Sequence, residues 1–313
     1  MKKMSRKLTV AILSVALAFV ALGATTFAWF TLTNTVEVGQ FEGQVTVGTG
    51  FEVSIDDGIN GYTDVANYYT YLPEAIIEST LIQLEKSYND GYRLTDMTSG
   101  NGTSFTNLKG VSMTSGYIEF DLKFRSTQSG AKIYLGNNTK IGRVGILWTP
   151  DKDFTGTHGV VTSGVSSIYY AADAVRVSII EKGNAEAKAV VYESPTVEGG
   201  NTALGKIAIQ NGAIDYYQEK TGISLLGSTE DYPTQNTLSD SVTEGVLANE
   251  FDFTGKDGYL IISLSSEAAE DGFYYGTVTV RVWIEGWDPD CFNAILKDKF
   301  SVELHFVTPE ATE

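Results

Sequence analysis

Between Tyr117 and Thr127 the chain alternates strictly. Ile118, Phe120, Leu122 and Phe124 fall on one parity, and Glu119, Asp121, Lys123 and Arg125 on the other. Successive side chains of an extended strand point to opposite faces, so this pattern requires a strand with one face buried and one in water. Phe300, Val302, Leu304 and Phe306 alternate with Ser301, Glu303 and His305 in the same way. Further β-branched and aromatic runs lie at Phe273–Glu285, Val175–Glu181, Lys188–Glu193 and Tyr259–Ser265, while Arg143–Trp148 reads as a more fully buried strand. Clusters such as Asp56-Asp57-Gly58 and Gly136-Asn137-Asn138 punctuate the runs as turns. Helix signals are few: Pro73–Lys86, opened by Pro and Glu, and a shorter stretch at Ala213–Lys220. The pattern predicts an all-β chain with one or two short helices. It fits a single antiparallel β-sandwich over 29–313, with long loop insertions at 98–116 and 227–245. A small inserted subdomain at about 196–258 is the alternative.

The first thirty residues follow a different rule. Lys2, Lys3, Arg6 and Lys7 precede a stretch without charge from Leu8 to Phe30, and no acidic residue appears before Glu37. Thr26-Phe27-Ala28 ends that stretch with small residues where signal peptidase needs them. Residues 1–28 therefore read as an apolar signal helix cut between Ala28 and Trp29. A retained anchor is the competing reading, because the stretch is long enough to span a bilayer. The mature chain is expected outside the cell, touching the membrane only through this segment before cleavage.

Charge and cysteine content narrow the function. Asp and Glu number 39 against 22 Lys and Arg, a net charge of −17. Such a surface repels phosphate backbones and anionic headgroups, so no nucleic-acid partner is expected. Cys291 is the only cysteine, which excludes an intrachain disulfide, and two histidines exclude any three-imidazole metal site. Ser112 and Ser166 lack the flanking glycine pair of a nucleophile elbow. Asp56-Asp57-Gly58-Ile59-Asn60-Gly61, with Asp64 beyond, sets oxygens at alternate places. Asn67, however, stands where an EF-hand needs its bidentate Glu, so an Asx turn explains the segment better. No catalytic residue, metal or cofactor is expected, with calcium at this turn the one candidate.

The run Trp283-Ile284-Glu285-Gly286-Trp287-Asp288-Pro289-Asp290-Cys291 is the most unusual. Trp283 and Trp287 are candidate stacking faces for a sugar beside carboxylates, and Asp288 with Asp290 is a candidate acid–base pair. The structural alternative is a strand ending at Glu285, a glycine turn, Trp287 capping the core and Cys291 as a buried thiol.

The start of the mature chain carries the main functional expectation. Phe30, Leu32, Val36 and Val38 share one parity, with Thr31, Thr33, Thr35 and Glu37 on the other. An amphipathic strand of this kind must pair with a sheet edge, since exposed apolar edges aggregate. It pairs either within its own sandwich or with the next subunit, and the second arrangement propagates as a filament.

The Ala28-Trp29-Phe30-Thr31 junction, followed by Val36-Glu37-Val38-Gly39-Gln40-Phe41-Glu42-Gly43 and then Val45-Thr46-Val47-Gly48-Thr49-Gly50-Phe51, resembles the exported TasA and camelysin family of biofilm-matrix proteins. Phe41 and Gly43 take the places of that family's Phe and Gly before a long strand. The resemblance covers residues 1–56. It implies a jelly-roll sandwich, a specialised signal peptidase, and homopolymeric extracellular fibres joined by N-terminal strands. The metallopeptidase activity described for camelysin-like proteins has no motif here and is not carried over. The expected function is a secreted, non-enzymatic subunit of a surface or biofilm-matrix fibre. The alternatives are a carbohydrate- or protein-binding module of the cell surface and an exported hydrolase using carboxylates alone.

Overall fold

The computed structural model describes residues 36–308 except 38–40, 48–49, 56–67, 73–75, 78–79, 81–92, 95, 108–109, 157–158, 194–211, 223–245, 249–258, 287 and 297. The signal segment 1–28 and the turn 56–64 lie outside the described residues, as do Phe30, Leu32 and Val38.

In chain order the strands begin with β1 (Val36–Glu37), β2 (Phe41–Val47), β3 (Phe51–Ile55), β4 (Tyr71–Leu72), β5 (Arg93–Leu94), β6 (Asp96–Met97) and β7 (Phe105–Thr106). They continue with β8 (Ser112–Met113), β9 (Ile118–Ser126), β10 (Lys132–Leu135), β11 (Lys140–Arg143), β12 (Ile146–Trp148), β13 (Phe154–Gly156) and β14 (Gly159–Val161). The last are β15 (Ser167–Tyr169), β16 (Val175–Glu181), β17 (Val190–Glu193), β18 (Val246–Ala248), β19 (Tyr259–Ser263), β20 (Tyr274–Glu285) and β21 (Phe300–Val307). Helix α1 (Ala213–Thr221) meets the expected stretch, and Ile76, Ile77 and Thr80 are helical inside the predicted 73–86.

The chain is mostly β. A seven-stranded sheet runs β18-β17-β16-β20-β9-β3, with β6 also on β20. A six-stranded sheet runs β19-β10-β21-β2-β4, with β11 also on β21. The alternating residues of β9 and β21 turn their apolar parity inward, where Phe124 meets Phe306 edge-on at 5.0 Å between ring centroids. One continuous buried cluster draws on both sheets, and each fully buried large apolar side chain contributes roughly 1.5–3 kcal/mol. The alternative insertion at 196–258 is described only at 212–222 and 246–248. Ala213, Ile214, Tyr216 and Tyr217 of α1 belong to that same cluster.

Two expectations need correction. The pairings are not all antiparallel: β2 runs parallel to β21 from Phe41↔Phe300 to Val47↔Phe306, and β17–β18 and β20–β6 are parallel too. Parallel neighbours need long connections, and almost the whole chain lies between β2 and β21. Nor is Arg143–Trp148 one buried strand. β11 leaves the six-stranded sheet at Arg143, and β12 begins at Ile146 in a separate pairing, with Val144 and Leu147 exposed. The break falls at Gly145, where φ is +90° and an added Cβ would lie 2.6 Å from the Tyr170 ring. A side chain is excluded there on both counts.

Candidate functional site

Among the described residues, the largest departure from the two sheets is the segment 146–169. β12 pairs with β15 from Ile146↔Tyr169 to Trp148↔Ser167, and β13 pairs with β14 from Phe154↔Val161 to Gly156↔Gly159. Partner numbers add to the same total in both pairings, so the four short strands are one hairpin arm in a single register. Its middle opens at 149–153 and 162–166. The gap is bridged by the Thr149 and Ser166 hydroxyls at 2.7 Å, by the Gly164 N–H donating to the Pro150 carbonyl, and by the Ser163 N–H donating to Asp153 Oδ1 at 2.6 Å.

Alternation gives the arm two unlike faces. Trp148, Phe154 and Tyr169 point inward and pack with Tyr216 of α1 and Phe292, their neighbouring ring centroids 5.1–6.4 Å apart. Edge-to-face and tilted contacts of this kind add about 0.5–1.5 kcal/mol per pair beyond burial. The start of α1 clamps the arm: the Thr155 N–H donates to Asp215 Oδ2 at 2.5 Å, and the Gly212 N–H donates to the Thr155 carbonyl at 2.6 Å. Gly212 is required at that point, since φ is +67° and a Cβ would lie 2.1 Å from the Pro289 carbonyl oxygen.

The outward face is apolar and wet. Leu147 (68% exposed) stands opposite Ile168 (57%), and Val160 (79%) lies further along. Among the described residues, five of the eight exposed large apolar side chains lie between 144 and 168. Single exposed hydrophobics need no explanation, but five gathered in one segment, two of them directly opposite each other, make it a candidate interaction surface.

A cleft of about 950 Å³ runs along the β14–β15 side of the arm, with Asp290, Phe292 and Ile295 on its opposite wall. At one end Arg143 bonds Asp173 at 2.6 Å, with its guanidinium 5.3 Å from the Tyr170 ring centre. Burial, with help from Asp290, raises the Tyr169 hydroxyl pKa, so that hydroxyl stays a neutral donor near neutral pH. The cleft therefore offers an aromatic wall, an Arg143–Asp173 ion pair and a second carboxylate, Asp290. That chemistry suits binding an uncharged or extended polar ligand.

Of the run singled out in the sequence, Asp290 reaches this cleft, while Trp283 sits apart from it. Trp283 is 0% exposed, its ring edge-on to Phe105 at 5.2 Å between centroids, so it cannot stack a sugar. It lies on the outward parity of β20, yet the hairpin of β7 and β8 folds over it with Met97, Ala189 and Val191. Trp287 lies outside the described residues. β20 ends at Glu285, as expected, and Cys291 is buried and in no disulfide.

Beside Trp283, across the β16–β20 pairing, lies an ionic site that no sequence pattern announced. Arg176 of β16 is buried with Glu193, Glu285 and Asp288. It meets Asp288 Oδ2 at 2.8 Å and Glu193 Oε2 at 2.5 Å, the latter an ion pair by distance rather than an aligned hydrogen bond. The Trp283 indole N–H donates to Glu285 Oε2 at 3.3 Å. Burial works against the Arg176 charge, but Glu193, Asp288 and Glu285 outweigh it and hold the guanidinium protonated. Burial pushes the Asp288 carboxyl up to about 6, against the pull of Arg176 and with a further push from Asp290. Asp288 is thus enclosed and ion-paired, and Asp290 alone of the candidate acid–base pair lines the cleft. Among the described residues no group of three or more His, Cys, Asp or Glu is arranged to hold a metal ion, and no helix is long and apolar enough to cross a membrane.

Arg143, Tyr169, Tyr170 and Asp173 were not singled out in the sequence. The signal that could have found the surface is an absence: from Phe154 to Ala172 there is no Asp, Glu, Lys or Arg. At the N-terminal end, Val36 pairs with Leu94 and Glu37 with Arg93 in the same chain. No protein-family model, curated protein or solved structure matches this chain.

Proposed function

We propose that the protein is exported, loses residues 1–28, and serves as a non-catalytic structural subunit of an extracellular surface or biofilm-matrix fibre. Each copy would reach the next through its N-terminal strand, with Phe30, Leu32, Val36 and Val38 filling the neighbour's groove. The body is read as a jelly-roll-like sandwich, which the shared core of the two large sheets supports. The observation that carries the reading is how little holds β1. Among the described residues, Val36–Glu37 pairs with Arg93–Leu94 alone, outside both large sheets. An isolated two-stranded pairing is marginal in water, so such a strand opens at little cost and can exchange for a partner's edge. Without Lys2, Lys3, Arg6 and Lys7 the mature chain has 18 Lys and Arg against 39 Asp and Glu, and its net charge of −21 keeps free copies apart until that exchange occurs.

The test is removal of Trp29–Val38 from the mature chain followed by negative-stain electron microscopy. Filaments are expected from the intact mature chain and none from the truncation. Filaments of normal length from the truncated chain would sink the reading.

The cleft beside Tyr169 and Tyr170 favours a second reading, a carbohydrate- or protein-binding module at the cell surface. A glycan array giving signal lost on Tyr170→Ala would favour it, and a silent array would count against it.

A further inference from the structure

We propose that the free edge of the hairpin arm, the β14–β15 side, pairs with the same edge of a second copy of this chain, joining two arms into one four-stranded sheet. Among the described residues β14 and β15 each have a single strand neighbour, on the inner side of the arm. An edge like this presents backbone N–H and C=O groups to solvent and is a template for another strand. Native edges are usually blunted with charge, proline or a covering loop. This one carries neither charge nor proline from Phe154 to Ala172, and Val160 and Ile168 beside it stand exposed.

The same charge pattern selects the occupant. Over most of its surface a mature chain with 18 Lys and Arg against 39 Asp and Glu, a net charge of −21, repels its own kind. Along this edge two copies meet without opposing carboxylates. Asp290 across the cleft faces an uncharged incoming strand, and Asp173 is already held by Arg143. Antiparallel pairing of identical edges about a two-fold axis is self-complementary and closes at two copies. It would also merge the outward Leu147, Val160 and Ile168 of both arms into one apolar face. The contact does not use the N-terminal strand, so in a fibre it would hold two filaments side by side.

The experiment is sedimentation velocity on the mature chain carrying Leu32→Asp to disable strand exchange, across a wide concentration range, with and without Val160→Lys and Ile168→Lys. The Leu32→Asp protein is expected to dimerise, and the lysine pair to weaken the dimer by about tenfold or more, because like charges opposite one another across paired strands repel. Both substituted side chains are exposed, and an unchanged circular dichroism melt confirms that the fold is kept. A Leu32→Asp protein monomeric throughout overturns the proposal, as does a dimer indifferent to the lysines. Filaments from the unsubstituted chain in the first of these cases would leave the fibre reading standing. Dimers with no filaments from any version would sink the fibre reading and keep this contact.

Discussion

Two hairpins leave the body of this molecule and meet opposite fates. The short one, β7–β8, folds down onto the outer face of the seven-stranded sheet. It buries Phe105 against Trp283, whose indole N–H bonds Glu285 beside a buried site where one guanidinium lies among three carboxylates. The long one, 146–169, anchors its inner face on Tyr216 and Phe292 and leaves Leu147, Val160 and Ile168 in water. The first hairpin's burial is needed for folding, because the groups beneath it would be costly to expose singly or to strip of partners. The second hairpin's outer face contributes nothing to its own fold. Apolar surface displayed without folding need points to recognition.

The largest expected effect that would break this contrast is at Arg176. Arg176→Met leaves Glu193, Glu285 and Asp288 buried without their shared cation, and removing one partner of a buried pair costs about 3–5 kcal/mol. Urea unfolding should show that loss, and adding Glu193→Gln and Asp288→Asn should recover most of it. A loss below about 1 kcal/mol would mean that the buried site is wetter than described.

A smaller effect is expected in the pH dependence. The folded carboxyl of Asp288 titrates at about 6, above an ordinary aspartate, so it contributes stability that is fully present below the unfolded value and lost as pH rises through 6. The gap in unfolding free energy between the wild type and Asp288→Asn should therefore narrow by roughly 2 kcal/mol between about pH 4 and pH 7. A gap that widens over that window would mean that Arg176 outweighs burial.

The smallest effect is expected on the arm. Ile168→Lys should change unfolding free energy by no more than about 0.5 kcal/mol, the usual range for a surface site, while altering association. A large loss of stability there would erase the distinction between the hairpins.

How much of this was legible varies by residue. The spans of β9 and β21 followed from alternation, because a sheet with one buried face writes its period into the chain, and those of β16 and β20 from β-branched and aromatic runs, each to within a residue or so. The arm did not follow. Val144, Ile146 and Leu147 form an apolar run that reads as buried, yet Gly145 breaks it, and the shared register with 159–169 exists only through pairing. Arg176 was hidden for a similar reason. Its partners Glu193 and Asp288 are distant in sequence and meet it through sheet neighbours and the turn after β20.

By itself the sequence determined the all-β character and the parity of each long strand, because both depend on the local direction of side chains. It also determined the acidity that limits where two copies can touch. What lies over each face was decided only in three dimensions. Trp283 and Ile168 both point away from the main core. One is buried and the other exposed because a separate piece of chain covers the first and none of the described residues covers the second. Covering depends on contacts between distant segments, which no local pattern encodes.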